Sequence, residues 1–278
     1  MEYPKYSVLM SLYDREDPRH LDESLQSMVG QTVKPDQIVL VKDGPVNPSL
    51  EEVIEAHKKA NPDLFTIVPL AENTGLANAL NNGLKHCRNE YVARMDTDDI
   101  SIPERCEKEL AVFMGDDTLS LIGSNVDEFS NDPDVILSRR VVPSSEEDIL
   151  KFSRRRNPFN HPTVMFKKSA IEGAGGYDVN CRRAQDFELF VTMLHSGYHA
   201  RNIDESLVKF RADPDSYGRK KKWSHCKTYI SVVRGFWKKG YSSLSDYLIV
   251  LAGQITMFVL PKGMTNRLFK KMLRKDSK

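Results

Sequence analysis

The sequence contains no run of about 20 apolar residues, the length a helix needs to cross a bilayer, so no membrane span is predicted. Nor does it open on a basic segment followed by an apolar stretch, the pattern of a secretory leader. Cysteine is scarce: Cys87, Cys106, Cys181 and Cys226 lie far apart, form no C-x-x-C pair and have no histidine at zinc-finger spacing. That speaks against a metal knuckle or a disulfide framework and predicts reduced thiols in a cytoplasmic protein. Glycine-rich phosphate motifs are missing as well. Neither G-x-G-x-x-G after the first predicted strand nor G-x-x-x-x-G-K-[ST] occurs, so no dinucleotide site of that kind and no P-loop is supported.

Charge of both signs is present but unevenly placed. The 278 residues carry a net charge of only +1, yet residues 219–278 hold 15 Lys and Arg against 2 acids, leaving residues 1–218 at −12. The tail is a separate electrostatic object. No recognised nucleic-acid motif accompanies its charge, and nucleic acid is not expected as a partner. The length suits one large domain or two small ones. We divide it into a domain over 1–218 and a helical, basic region over 219–278.

The organising stretch runs from Tyr91 to Glu104. An apolar run of strand length, interrupted by Arg94, stops at Asp96, Asp98 and Asp99. Ser101 and Glu104 have capping-box spacing and Pro103 follows within it, which predicts a helix start there. The acids thus sit at the carboxyl end of a strand, where open parallel sheets bind ligands. Three carboxylates so close repel one another, and a hard divalent cation such as Mg²⁺ or Mn²⁺ would share their charge. The same residues also read as a turn acid followed by acids favoured at a helix N-terminus. A D-x-D phosphatase loop of the haloacid-dehalogenase type begins at a strand end too, but Asp99 stands where that loop has Thr or Val.

Before this stretch the pattern predicts strands at Ser7–Leu12, Ile38–Val41 and Leu64–Pro69. Helices lie between them: one opening at Asp17-Pro18 and ending at Gly30, one opening at Asn47-Pro48, and one carrying Leu76, Leu80 and Leu84. That β-α alternation argues a doubly wound parallel sheet covered on both faces. Beyond it come a strand at Leu119–Ile122, an extended segment near Val135–Val142 and a helix from Ser144 or Ser145 to Phe152. Arg154-Arg155-Arg156 follow, then a strand at Thr163–Phe166 and a helix over Asp186–His195.

Taken in order, the segments Ser7–Tyr13, Gln31-Thr32, Val41–Gly44, Asn73–Ala77, Asn81–Gly83, Asp96–Asp99, Asn160–Met165, Gly176–Asp178 and Ala184–Leu189 resemble the family 2 glycosyltransferases. The match is to bacterial, non-processive enzymes of surface-polysaccharide synthesis, over about residues 5–215. The resemblance implies the GT-A fold, a Rossmann-like mixed sheet flanked by helices. It further implies an inverting, metal-dependent transfer of one sugar from a nucleotide sugar, a UDP-sugar by expectation. The acceptor would be a lipid-linked oligosaccharide of O-antigen, capsule or exopolysaccharide synthesis.

Carried onto matching positions, Asp43 and the backbone of Ser11, Leu12 and Tyr13 would hold the nucleotide base, with Asn73 and Gly75 beside them. Asp96 would touch the ribose, Asp98 the divalent metal, and Asp186 would be the catalytic base. Asp99, His161, Gln185 and Arg156 are candidates for supporting or acceptor roles. Asp14 stands where the family often has Asn, and Gln185 where many members have Glu. Nothing matches the Q-x-x-R-W of processive synthases.

In the tail, Tyr247–Leu260 is free of charge, but as a helix its 14 residues reach only about 21 Å, against about 30 Å of hydrocarbon. After Pro261, Met264, Leu268, Phe269, Met272 and Leu273 share a helical face beside Arg267, Lys270, Lys271, Arg274 and Lys275. That pattern suits a helix lying in an anionic membrane surface, which predicts a cytoplasmic protein peripheral on the inner face of the cell membrane. A polyprenyl-diphosphate carrier for the acceptor would account for it. Two other readings stay open at this point: a metal-dependent phosphatase or phosphotransferase, and a catalytically silent nucleotide-sugar-binding module.

Overall fold

Tyr6–Leu12 (β1) is buried along nearly its whole length because both of its faces are covered. Val8, Met10 and Leu12 point to one side and Leu9 to the other, so alternate residues enter two separate apolar clusters. The computed structural model describes residues 2–181, 183–212 and 222–260, and the backbone of 274–275. From β1 the chain runs through α1 (Pro18–Val29), β2 (Gln37–Lys42), α2 (Pro48–Ala60), β3 (Phe65–Pro69), α3 (Leu76–His86) and β4 (Tyr91–Arg94). The Asp17 and Asn47 side chains cap α1 and α2, each with a proline in the first turn. Helices α1 and α2 cover one face through Leu21, Leu25, Met28, Leu50 and Ile54, and α3 covers the other through Leu80 and Leu84.

Strands β3, β2, β1 and β4 are parallel neighbours in that order, as the alternation predicts. Beyond β4 the sheet turns antiparallel and departs from the doubly wound expectation. It continues through β5 (Ile100–Ser101), α4 (Arg105–Gly115), β6 (Leu119–Phe129), β7 (Ser138–Arg140) and α5 (Glu146–Ser153). A 3₁₀ turn (His161–Thr163), β8 (Met165–Lys167), α6 (Lys168–Gly173), α7 (Gln185–His195) and β9 (His199–Arg211) complete this half. β8 lies antiparallel between β4 and β6, β7 antiparallel to β6, and β9 parallel to β6. The product is the mixed sheet that the family resemblance implies.

The helix expected to start at Ser101 starts later. Ile100 and Ser101 pair antiparallel with Lys209 and Val208 of β9, and the Ser101 amide donates to the Ser27 hydroxyl (3.0 Å). α4 therefore begins at Arg105, with Glu104 as its flanking residue and no side-chain cap. Gln31 takes over the anchoring. Its amide nitrogen donates to the Ile102 carbonyl (2.8 Å) and its oxygen accepts from the Cys106 amide (3.0 Å). From α4, the fully buried Arg105 donates to the Arg94 carbonyl (2.8 Å) and pairs with Glu109 (3.1 Å).

Two further helices, α8 (Trp223–Lys238) and α9 (Leu244–Val259), pack on α7: Phe187 and Val191 meet Val233, Phe236 and Val250. The amphipathic helix expected after Pro261 falls outside the described residues, apart from Arg274–Lys275. Those two form a short strand, β10, antiparallel to β7, so they do not extend a helix. All four cysteines are buried.

Helix α3 approaches the sheet most closely at Gly83, where a Cβ would stand 2.5 Å from Leu9 Cδ1 and 2.6 Å from Val41 Cγ2. Gly83→Val should therefore lower the unfolding free energy by about 1–3 kcal/mol, the usual cost of overpacking. Chemical denaturation would measure the loss, and an unchanged midpoint would mean that the contact yields freely.

Candidate active site

The carboxyl ends of β4, β1, β2 and β3 stand side by side, and the turns leaving them carry most of the residues singled out in the sequence. Ser11 and Leu12 end β1, with Tyr13 exposed just beyond. Leu12 turns its side chain into the core, so only its backbone faces the crevice.

Asp43 follows β2 and is almost fully buried. One carboxylate oxygen accepts from the Thr74 amide (2.7 Å) and hydroxyl (3.1 Å), and the other from the Gly75 amide (3.0 Å). The acid thereby clamps the Asn73–Gly75 loop of the neighbouring strand. Gly44 next to it has φ +91, and a Cβ there would lie 2.8 Å from the Asn73 nitrogen, so this turn requires glycine.

Asp96, Asp98 and Asp99 leave the end of β4 with ligand oxygens all within 4.8 Å of one another. Asp99 is fully buried. One of its oxygens accepts from the Arg211 amide (2.7 Å), and the other has no partner among the described residues. Burial first, then the charges of Asp96 and Asp98, push its carboxyl well above the ordinary range. Asp98 keeps more solvent contact, yet the protein around it and the Asp96 charge raise it to about 6. Crowded hard oxygens, one of them orphaned, are a fitting donor set for a divalent cation. A fourth acid adjoins them. Glu16, in the turn after β1, accepts from the Thr97 hydroxyl and is raised to about 8, chiefly by burial.

The cation inside this group is Arg94. Its guanidinium is buried, donates to Asp96 through Nη2, and leaves Nε and Nη1 without partners among the described residues. Its charge also reaches Asp99, His161, Tyr177 and Asp186. Sequence reading registers Arg94 only as an interruption in an apolar strand, and that interruption is the signal it offered. Glu16, Asn157 and Arg211 carried no comparable mark.

Asp186 lies in the first turn of α7 and accepts from Asn157 Nδ2 (2.6 Å). Burial raises its carboxyl above the ordinary value, while the Phe187 amide and Arg94 pull the other way. The residue before the helix, Ala184, has φ +61, a left-handed conformation that L residues rarely hold. Between them Gln185 buries a side-chain oxygen that has no partner among the described residues. Across the crevice, His161 contacts the Tyr177 hydroxyl (2.9 Å), and burial together with Arg94 keeps its imidazole neutral. The Tyr177 backbone is held in turn by both ends of the Asn81 amide (2.7 and 2.9 Å). Arg156 precedes Asn157, half-buried, its charge reaching Tyr229 and forming no ion pair with a carboxylate among the described residues.

The sequence model for glycosyl transferase family 2 matches residues 7–172. The chain belongs to glycosyl transferase family 2. It is similar to the amylovoran biosynthesis glycosyltransferase AmsE of Erwinia amylovora, 40% identical over 229 residues that cover 82% of this chain and 84% of that one. It is 34% identical over 273 residues to an Escherichia coli UDP-Gal:alpha-D-GlcNAc-diphosphoundecaprenol beta-1,3-galactosyltransferase, covering 98% of each chain. Among solved structures, the mannosyltransferase PcManGT from Pyrobaculum calidifontis superposes with a TM-score of 0.63 at 17% identity, over 98% of this chain and 81% of that one. The glycosyltransferase therefore has the GT-A fold, with its acids placed at the strand ends of that fold.

If Asp43 clamps the neighbouring loop, Asp43→Ala should cost the enzyme about 1–3 kcal/mol of stability, because buried amides lose a charged acceptor. Retention of full denaturant stability would refute the clamp.

Proposed function

We propose that this family 2 enzyme is an inverting, single-addition glycosyltransferase of bacterial polysaccharide synthesis. In our reading it moves one sugar from a nucleotide sugar to a hydroxyl of a lipid-linked saccharide. The observation that carries the reading is the convergence of the Asp96–Asp99 cluster and Asp186 on one crevice, bridged by Arg94.

Ser11, Leu12 and Tyr13, through their backbone, line the base pocket with Asp43, while Asn73 and Gly75 shape its wall and Asp96 takes the ribose. Asp98 is the principal residue for a divalent cation, Mn²⁺ or Mg²⁺, with Asp99 behind it. A bound cation would offset charge growing on the departing diphosphate. PcManGT, a neighbour in fold, was solved with GDP-Man and Mn²⁺. Asp186 accepts the proton of the acceptor hydroxyl as that oxygen attacks the anomeric carbon, and a single displacement inverts the centre. Asn157 orients the base, Gln185 buttresses it, and His161 and Arg156 lie toward the acceptor.

A UDP-sugar donor and a polyprenyl-diphosphate acceptor are supported by the name of the E. coli relative, which pairs UDP-Gal with a diphosphoundecaprenol-linked sugar. We assign residues 1–218 to the transferase domain and 219–278 to a region that holds the enzyme on the inner face of the cell membrane.

Calorimetric titration with uridine, guanosine and thymidine diphosphates, with and without Mn²⁺, tests the donor site. Binding of one nucleotide should depend on metal and be lost in Asp98→Ala. Absence of binding to all three with metal present, or phosphate release without an acceptor, would remove the reading. Asp186→Asn should keep nucleotide affinity and lose transfer by at least about a hundredfold, the lower end of a general base's contribution.

The pH profile gives a further check. The base works only when ionised, and its carboxyl is raised, so kcat/KM should fall with acidity at a pH above the usual carboxylate value of about 4. Asn157→Leu removes a hydrogen bond that favours the charged form, so the acid limb should move to higher pH. A limb that stays in place in this variant would detach Asp186 from the observed titration.

A further inference from the structure

Helix α9 is apolar on more than the side it buries. Its buried residues are Asp246 and Val250, with Val250 against Val233 and Phe236 of α8 and Tyr247 on Trp237. The opposite side carries Leu244, Leu248, Leu251, Ile255, Phe258 and Val259, spaced by three and four residues along one stripe. Five of these six are between 43% and 71% exposed. An amphipathic helix that served only the fold would turn this stripe inward. Scattered apolar residues on a surface need no explanation, but a continuous stripe the length of a helix does.

The surroundings indicate which surface would cover it. Trp223, itself exposed, meets the Phe258 ring of the stripe at a tilt (5.1 Å), while Trp237 stacks on Tyr247 (5.4 Å) on the side turned toward α8. Lys222, Lys227, Arg234, Lys238 and Lys239 are exposed on and beside α8. The sole acid in residues 222–260, Asp246, is buried and paired with Arg155. Apolar residues, an exposed indole and exposed bases, of which Lys239 also pairs with Glu188 (3.5 Å), complement an anionic lipid surface, its acyl boundary below and phosphates above. Sixteen helical residues reach about 24 Å, short of the bilayer core, and no described helix is long and apolar enough to cross a membrane. The helix fits the plane of the surface.

We propose that the outward stripe of α9 lies in the headgroup region of an anionic bilayer and fixes the height of the catalytic base above it. This rests on the reading of the acceptor as lipid-linked and assigns the contact to a particular face. The mechanical link is explicit. Asp246, in the first turn of α9, accepts from Arg155 Nε (2.5 Å). The Ser242 hydroxyl donates to the Arg154 carbonyl (2.8 Å), and the Tyr229 hydroxyl to the Arg155 carbonyl (3.0 Å). Two residues on from Arg155, Asn157 holds Asp186. A membrane under α9 therefore meets the protein at the same corner that carries Arg156, which forms no ion pair with a carboxylate among the described residues, and a carrier's diphosphate rising from the headgroups would reach Arg156 before the sugar reaches Asp186.

Full-length protein would be sedimented with vesicles of phosphatidylcholine alone and of phosphatidylcholine mixed with phosphatidylglycerol. The wild type should partition onto the mixed vesicles. The double variant L248E/I255E should lose at least about tenfold of that partition, since two apolar side chains no longer enter the lipid, while keeping its nucleotide affinity. Both positions are exposed, so the fold should tolerate the change, and the single variant F258E serves as a second, smaller step. On a vesicle-embedded acceptor the double variant should transfer more slowly than wild type, with equal rates on a short-chain soluble analogue.

Equal sedimentation of variant and wild type would overturn the proposal, as would a wild type that binds neither vesicle. Loss of binding only when Lys270 and Lys271 are changed to Gln would move the contact to the tail. A wild-type dimer that L248E/I255E dissolves would assign the stripe to a second copy of the chain. A wild type that sediments with vesicles but transfers to no acceptor would strike the functional reading and leave the surface standing.

Discussion

One buried guanidinium among carboxylates sets the terms for the whole strand-end crevice. Asp96, Asp98 and Asp99 present oxygens within 4.8 Å of each other, and at an intermediate dielectric each such pair of charges would repel by about 3 kcal/mol. Arg94 offsets part of this from beneath, and the raised carboxyls of Asp98 and Asp99 absorb another part by favouring their protonated forms. A cation bound at the cluster would release those protons, so metal affinity in such a site couples to pH. The backbone around Arg94 is correspondingly overdetermined. Its carbonyl is held by Arg105, its amide by the Val164 carbonyl, and the loop that follows by Gln31.

The family motifs prove to be partners of one another more than independent contacts. Asp43 spends both oxygens on the Asn73–Gly75 loop, and Asn81 spends its amide on Tyr177, whose hydroxyl meets His161. Ser24 ties α1 to the Asp96 carbonyl. Segments that are far apart in sequence thus share one rigid frame, and residues set back from the crevice hold in register those that face it.

The parallel half of the fold was legible because each strand is covered on both sides. Unbroken apolar runs such as Ile38–Val41, punctuated by Asp17-Pro18 and Asn47-Pro48, leave little else to predict. The antiparallel half was not, since its pairings bring together distant segments. Ile100–Ser101 has the local signature of a helix start, but β9, more than a hundred residues away, recruits its backbone first. The acid cluster and Asp186 were visible through motif order, whereas Asn157 and Glu16 were not. Each is an ordinary residue in an ordinary loop, and only the path of the chain brings it to an acid. Helix α9 was read as too short to span, and no described helix is long and apolar enough to do so, but periodicity alone does not say which of its faces looks outward.

Helix α7 is shared property. Its Leu189, Phe190 and Met193 belong to the main core, while Phe187 and Val191 belong to the cluster built with α8 and α9. The helix that bears Asp186 is therefore packed from both sides by parts of the chain that differ sharply in charge. Such a seam limits recombination: a C-terminal segment borrowed from a relative would have to match the outer face of α7 as well as its own surroundings. Substitutions on the two sides of that seam would be inherited together, and chimeras joined after β9 would lose order first at α7.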